Sequence, residues 1–132
     1  MNRELDLDKI KKAENTQLVY LASPYTHPDD EIREDNYVVV SNIAADMVAE
    51  GHVVFSPISY GHNLITFNEM PSNWEFWFNF CVTFLLKCDK LLVCKMPGWE
   101  NSVGVKEEIE IAINHGIDVE YIDVDKYYNL TL

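Results

Sequence analysis

The chain has 132 residues, a formal net charge of −12, and 48% hydrophobic against 24% charged residues. That length carries one hydrophobic core rather than two, and that balance belongs to a folded globular chain rather than a disordered one. Ten Lys and Arg against twenty-two Asp and Glu leave no basic patch. This excludes a surface for nucleic-acid polymers or anionic lipid, which needs clustered cations, while a helix N-terminus and hydroxyls can still hold one phosphate.

The segment Met1-Asn2-Arg3-Glu4-Leu5-Asp6 is charged and is not read as a secretory signal. The most apolar window, Phe76 to Leu86, is far shorter than a membrane span and is fenced by Glu75 and Lys87. Cys81, Cys88 and Cys94 are an odd number without a CxxC pair, so neither a disulfide scaffold nor a structural zinc site is expected. The expected compartment is reducing cytoplasm, with no membrane partner and no metal.

No repeat, low-complexity tract or linker divides the sequence, so residues 1–132 are read as a single domain with an N-terminal helical extension over 1–15. Residues 5–13 read as a short, weakly specified helix. Leu18-Val19-Tyr20-Leu21-Ala22 is a first strand, closed by Ser23-Pro24. A long helix is expected from about Asp30 to Glu50, with an acidic first turn suited to the helix dipole and Gly51 as its stop. Ile32, Val39, Val40, Ile43, Met47 and Val48 supply its apolar stripe.

His52-Val53-Val54-Phe55 is a second strand, ended by Ser56-Pro57, and Ile58 to Pro71 reads as an active loop or broken helix. Ser72-Asn73-Trp74-Glu75 matches a capping box opening a helix to about Lys87. Asp89 to Cys94 is the third strand and Val119 to Ile122 a fourth, after a helix that stops near Gly116. Strands separated by helices of this length imply an α/β fold: a doubly wound, Rossmann- or flavodoxin-like parallel sheet of four to five strands flanked by helices. In such sheets ligands bind at the carboxyl ends of the strands. Ser23-Pro24-Tyr25, Ser56-Pro57 and the turn from Gly98 to Gly104 all fall at such ends.

The richest stretch runs from Gly98 to Ala112. A strand, a Ser/Gly turn and a helix start leave free backbone N–H groups where an anion can sit. Val105, Ile109, Ala112 and Ile113 share one helix face, and Glu108 lands on the edge of that face. Such a glutamate is either a solvated helix-start residue or a carboxylate held near the core for a task. Ser102 and Gly104 read equally as turn and N-cap residues or as an anion cradle, and the two readings are compatible.

Tyr25 can stack on a ligand ring or merely cover the core edge. His62, in Ser59-Tyr60-Gly61-His62-Asn63, either faces a ligand or is an exposed loop histidine. His27, His52 and His115 have no metal-ligand spacing, and no HExxH, P-loop or GxGxxG is present. Trp74, Trp77 and Trp99 read as core and rim packing rather than as a base-stacking platform for single strands.

Four segments together resemble the nucleoside 2-deoxyribosyltransferase superfamily, which includes the deoxynucleoside 5′-monophosphate N-glycosidases. They are Tyr20-Leu21-Ala22-Ser23-Pro24-Tyr25-Thr26-His27-Pro28, Gly51-His52-Val53-Val54-Phe55-Ser56-Pro57-Ile58, Cys88-Asp89-Lys90-Leu91-Leu92-Val93, and Gly98-Trp99 through Ser102-x-Gly104-Val105-x-x-Glu108-Ile109-x-x-Ala112. Within the superfamily the chain is most similar to the DUF1937 family of small bacterial and phage proteins, over about Val19 to Asp123.

The resemblance implies an enzyme that hydrolyses or transfers the N-glycosidic bond of a nucleoside or nucleotide. Glu108 takes the place of the glutamate that attacks the anomeric carbon, forming a glycosyl ester that splits one hard displacement into two easier ones. Ser23, Tyr25, His62, Ser102 and Gly104 are the expected substrate-binding residues, with Ser102 matching a serine that holds a 5′-phosphate. No cofactor is implied, and a homodimer or higher homo-oligomer is. Two features depart from the pattern. The aspartate expected eight residues before Asp89 is Cys81, and the first loop lacks an arginine-rich run, Arg33 being the nearest cation. A nucleotide-binding module with the same crevice and impaired turnover is therefore the alternative.

Overall fold

The computed structural model describes residues 4–128. Its elements are α1 (Leu7–Glu14), β1 (Leu18–Ala22), α2 (Asp30–Ala49), β2 (Val53–Phe55), α3 (Pro57–Asn68), α4 (Trp74–Leu85), β3 (Lys90–Cys94), α5 (Val103–Asn114) and β4 (Asp118–Ile122). Short 3₁₀ turns lie at Trp99–Asn101 and Asp125–Tyr127. The strands form one parallel sheet in the order β2-β1-β3-β4. The chain leaves β1 for β2 on one side and returns across it to β3 on the other, which is the doubly wound α/β arrangement expected from the alternation of elements.

Side-chain alternation in the two central strands builds both cores. Val19 and Leu21 of β1 join Leu92 and Cys94 of β3 against Val39, Val40 and Ile43 of α2. Tyr20 and Ala22 join Leu91 and Val93 on the opposite face, against Leu85 of α4 and Val105 and Ala112 of α5. A strand covered on both faces reads as a continuous apolar run, and β1 and β3 do so. The edge strands β2 and β4 have no fully buried residue.

Several element boundaries differ from the sequence reading, each for a physical reason. Residues 57–68 are one continuous helix rather than an active loop or a broken helix, because Ser56-Pro57 starts α3 as well as ending β2. The Ser59 amide donates to Ser56 Oγ at 3.1 Å, and Pro57 occupies the first helical position, where its missing N–H costs nothing. The Ser72 capping box does not form. Asn73 is the N-cap of α4 and makes no side-chain cap bond. The helix starts one residue late, and Glu75 falls out of the register that reciprocal capping requires.

In α2 the buried residues are Asn36, Val39, Val40 and Ile43, whereas Ile32 and Val48 are 37% and 58% exposed. A 20-residue helix is about 30 Å long and a five-residue strand about 17 Å, so both ends of α2 overhang the sheet. The N-terminal extension is the helix α1, which has no buried residue; residues 1–3 lie outside those described. Among the described residues no helix is long and apolar enough to cross a membrane.

Candidate active site

A cleft of about 520 Å³ opens at the carboxyl ends of β1 and β3, where the strand order reverses. It is lined from four directions: Ser23 and Tyr25 after β1, Pro57 to Ile65 on α3, the first half of α4, and Asn101 to Glu108 across the start of α5. Switch points of open α/β sheets leave such a gap because the crossovers on either side diverge. All six expected site residues, Ser23, Tyr25, His62, Ser102, Gly104 and Glu108, line this one cleft.

At its floor, Glu108 is 4% exposed and Cys81 6% exposed, and both line the cleft above fully buried Tyr20. The Tyr20 hydroxyl donates to Glu108 Oε2. Burial pushes the Glu108 carboxyl up to about 8, opposed in part by the Tyr20 hydrogen bond. Among the described residues no Lys, Arg or His forms an ion pair with it. Its charge, once formed, is thus stabilised by one phenol and no cation. Burial, then the adjacent carboxylate, drives the Tyr20 phenol well above its ordinary range, so it remains a donor. The same two causes push the Cys81 thiol up to about 12.

One wall is a hydrogen-bonded chain. His62 Nε2 lies 2.7 Å from Glu34 Oε2, and His62 Nδ1 lies 2.7 Å from the Tyr25 hydroxyl. The imidazole is 8% exposed and stacks on Tyr37 at a centroid separation of 4.2 Å. A carboxylate only accepts, so Nε2 carries hydrogen, and in the neutral ring Nδ1 accepts from Tyr25. His62 is therefore a buried, doubly bonded ring on a helix and not an exposed loop histidine.

The facing wall is aromatic. Trp74 and Trp77, one turn apart on α4, both line the cleft. Trp74 Nε1 donates to Glu107, and Trp77 Nε1 donates to the Pro71 carbonyl at 2.8 Å. A Cβ on Gly104 would lie 3.1 Å from Trp74 Cε3, so this glycine lets α5 approach the indole closely. At the same helix start Ser102 is the N-cap, its Oγ accepting from the Val105 amide at 3.3 Å. The Ser102 hydroxyl proton is left free to donate. Ser23 Oγ, on a residue 7% exposed, has no hydrogen-bond partner among the described residues.

Some contributors escaped sequence reasoning. Tyr20 was legible only as a strand residue, and nothing local says that its hydroxyl meets a carboxylate 88 positions away. Trp74 and Trp77 read as packing but are also cleft wall. Glu34 and Tyr37 sit three residues apart on α2, a helical spacing that marks a shared face, but their partner lies on another helix. Arg33 is not part of the cleft lining; it pairs with Asp30 and donates to the His27 carbonyl.

Fold and cleft together define a doubly wound α/β protein with a buried, phenol-bonded carboxylate at its strand-order switch point. Residues 17–123 match the family described as Domain of unknown function (DUF1937), and the chain belongs to that family. No curated protein sequence matches the chain.

Proposed function

We propose that this protein cleaves or transfers the N-glycosidic bond of a nucleoside or nucleotide, with Glu108 as the attacking group. The observation that carries the reading is Glu108 itself: a buried carboxylate held by Tyr20, with no cation paired to it among the described residues, facing an open cleft. Such a charge is costly in the empty protein. It is repaid when positive charge develops opposite, and glycosidic cleavage supplies that charge at the sugar's anomeric carbon. A second displacement, by water or an acceptor base, frees the enzyme from the glycosyl ester.

The remaining lining residues fit a nucleoside. Trp74 and Trp77 offer apolar faces for a planar base. The Ser23 hydroxyl, without a partner among the described residues, and the free proton of Ser102 suit sugar hydroxyls or one phosphate at the capped start of α5. Among the described residues no Lys or Arg lines the cleft, which favours a neutral nucleoside over its monophosphate. Self-association is proposed on the resemblance set out above, with half-exposed Tyr60 and Phe76 beside the cleft as candidate contact surface.

The test is incubation of purified protein with deoxynucleosides and their monophosphates, with chromatographic detection of free base. Base release that persists unchanged in Glu108→Ala eliminates the nucleophile. The second reading, a binding module without turnover, is favoured by Cys81 standing where the resemblance expects an acid. Calorimetry showing tight nucleoside binding with no base released on long incubation would select it.

A further inference from the structure

We infer that the Tyr25 hydroxyl, resupplied with a proton through His62 and held in line by Glu34, protonates the departing base. The assignment rests on the cleavage at Glu108 proposed above. A nucleobase leaves poorly as an anion, so the broken C1′–N bond needs a proton delivered to the base as it departs. Glu108 is engaged with the sugar, and the Cys81 thiol, pushed up to about 12 by burial, has no imidazole bonded to it among the described residues to resupply a proton. Glu75, also on the lining, is an exposed residue on α4 with no partner that positions it among the described residues. Tyr25 is different: it lies on the cleft wall with a buried imidazole directly behind it.

The direction of the hydrogen bonds explains how a phenol can work as the acid. With His62 neutral, Tyr25 points its proton at Nδ1 and offers the cleft only a lone pair. With His62 protonated, Nδ1–H donates to the Tyr25 oxygen, and the phenolic proton turns into the cleft. The imidazolium proton then acts through the phenol. The groups that bear on this ring are Glu34 and Tyr37 from α2, Tyr25 from the loop after β1 and Thr66 from its own helix. Glu34 Oε2 bonds the ring nitrogen opposite the one that meets Tyr25, and the Tyr25 phenol is raised by burial, with Arg33 lowering it and Glu34 raising it.

The steps balance. Glu108 Oε forms a bond to C1′ as the C1′–N bond breaks, its electron pair passing to the base nitrogen. The base takes the Tyr25 proton, Tyr25 takes the Nδ1 proton, and His62 is left neutral. In the second step water attacks C1′ and the ester C–O bond breaks, regenerating the Glu108 carboxylate. The water proton passes to the Tyr25 oxygen, and the Tyr25 proton returns to Nδ1.

The experiment compares 2′-deoxynucleosides with p-nitrophenyl 2-deoxy-β-D-ribofuranoside, whose leaving group departs without protonation. Tyr25→Phe is expected to lose roughly 10²–10⁴-fold in kcat/KM on the nucleosides and to stay within about threefold of wild type on the aryl glycoside. Among nucleosides, the loss in Tyr25→Phe should grow with the basicity of the departing base. Glu34→Gln, which removes the carboxylate bonded to His62 Nε2, should lose activity on the nucleosides and spare the aryl glycoside. Glu75→Gln should affect the two substrates alike. Equal losses on both substrates in Tyr25→Phe, full nucleoside activity in Glu34→Gln, or a selective nucleoside defect in Glu75→Gln would each overturn the relay while leaving Glu108 in place. Wild-type protein inert on both substrates overturns the glycosidic reading and the relay with it.

Discussion

The phenol of Tyr20, a β1 residue with no solvent exposure, donates a hydrogen bond to the carboxylate of Glu108 on α5. The pair fixes the buried acid of the cleft and sets how its charge depends on pH. Both consequences are measurable without knowing the substrate or while seeking it.

The first concerns stability. Glu108 is raised from 4.5 to about 8 by burial, so between those values the folded protein holds a proton that the unfolded chain releases. Stability from this group is complete below about pH 4.5 and declines as pH rises through 8. Glu108→Gln abolishes that titration. Chemical denaturation should find the variant equal to wild type near pH 4 and more stable at pH 9, by an amount on the order of a few kcal/mol. A difference that does not vary with pH would contradict the buried acid.

Tyr20→Phe removes the hydrogen bond that favours ionised Glu108. Hydrogen bonds to charged groups contribute about 1.5–3 kcal/mol, which corresponds to a rise of about 1–2 pH units in the carboxyl's titration. The acid limb of kcat/KM, set in wild type by ionisation of Glu108, should move upward by that amount. Turnover at pH 7 should fall tenfold or more while activity at high pH is largely retained.

Gly104→Ala separates cleft shape from stability. The new methyl group meets Trp74 Cε3 at 3.1 Å, and the indole is restrained because its Nε1 is bonded to Glu107. Alanine gains about 1 kcal/mol of helix propensity over glycine, which offsets the crowding. Thermal unfolding should therefore change little while KM rises. Trp74→Leu clears the contact, so in a double-mutant cycle Gly104→Ala should no longer raise KM when it is made in the Trp74→Leu background.

Substitutions at Ser102 discriminate nucleoside from monophosphate. Ser102→Ala deletes the N-cap of α5 and should cost about 1 kcal/mol. Ser102→Asp keeps a capping acceptor and places a negative charge at the same point of the cleft. It should leave stability near wild type, spare binding of a neutral nucleoside, and weaken a 5′-monophosphate by tenfold or more. Isothermal titration of both ligand types against both variants reads the outcome.

Local pattern carried the sheet. The run Leu18–Ala22, and the run from Leu91 to Cys94 within Lys90–Cys94, are apolar and bracketed by polar or turn residues, and both lie in strands buried on two faces. Glu108 was legible because helical spacing put it at the margin of an apolar stripe, and it is indeed buried with Val105 and Ala112. The Ser-Pro pairs were ambiguous, since the same dipeptide ends a strand and begins a helix. Residues 57–68 resolved as α3 only through the Ser56 cap, and that helix is what turns His62 inward.

By itself, then, the sequence determined the alternation of strands and helices, the parallel sheet that follows from it, and the strand-end turns from which a cleft is made. These are properties of periodicity and chain reach, which act over a few residues. Tertiary structure alone decided that Tyr20 meets Glu108, that Cys81 lies beside them, and that Glu34, His62 and Tyr25 join in one chain of hydrogen bonds. Such pairings depend on which elements become neighbours and how each is rotated about its axis. Packing of the whole core sets both, and no local spacing encodes either.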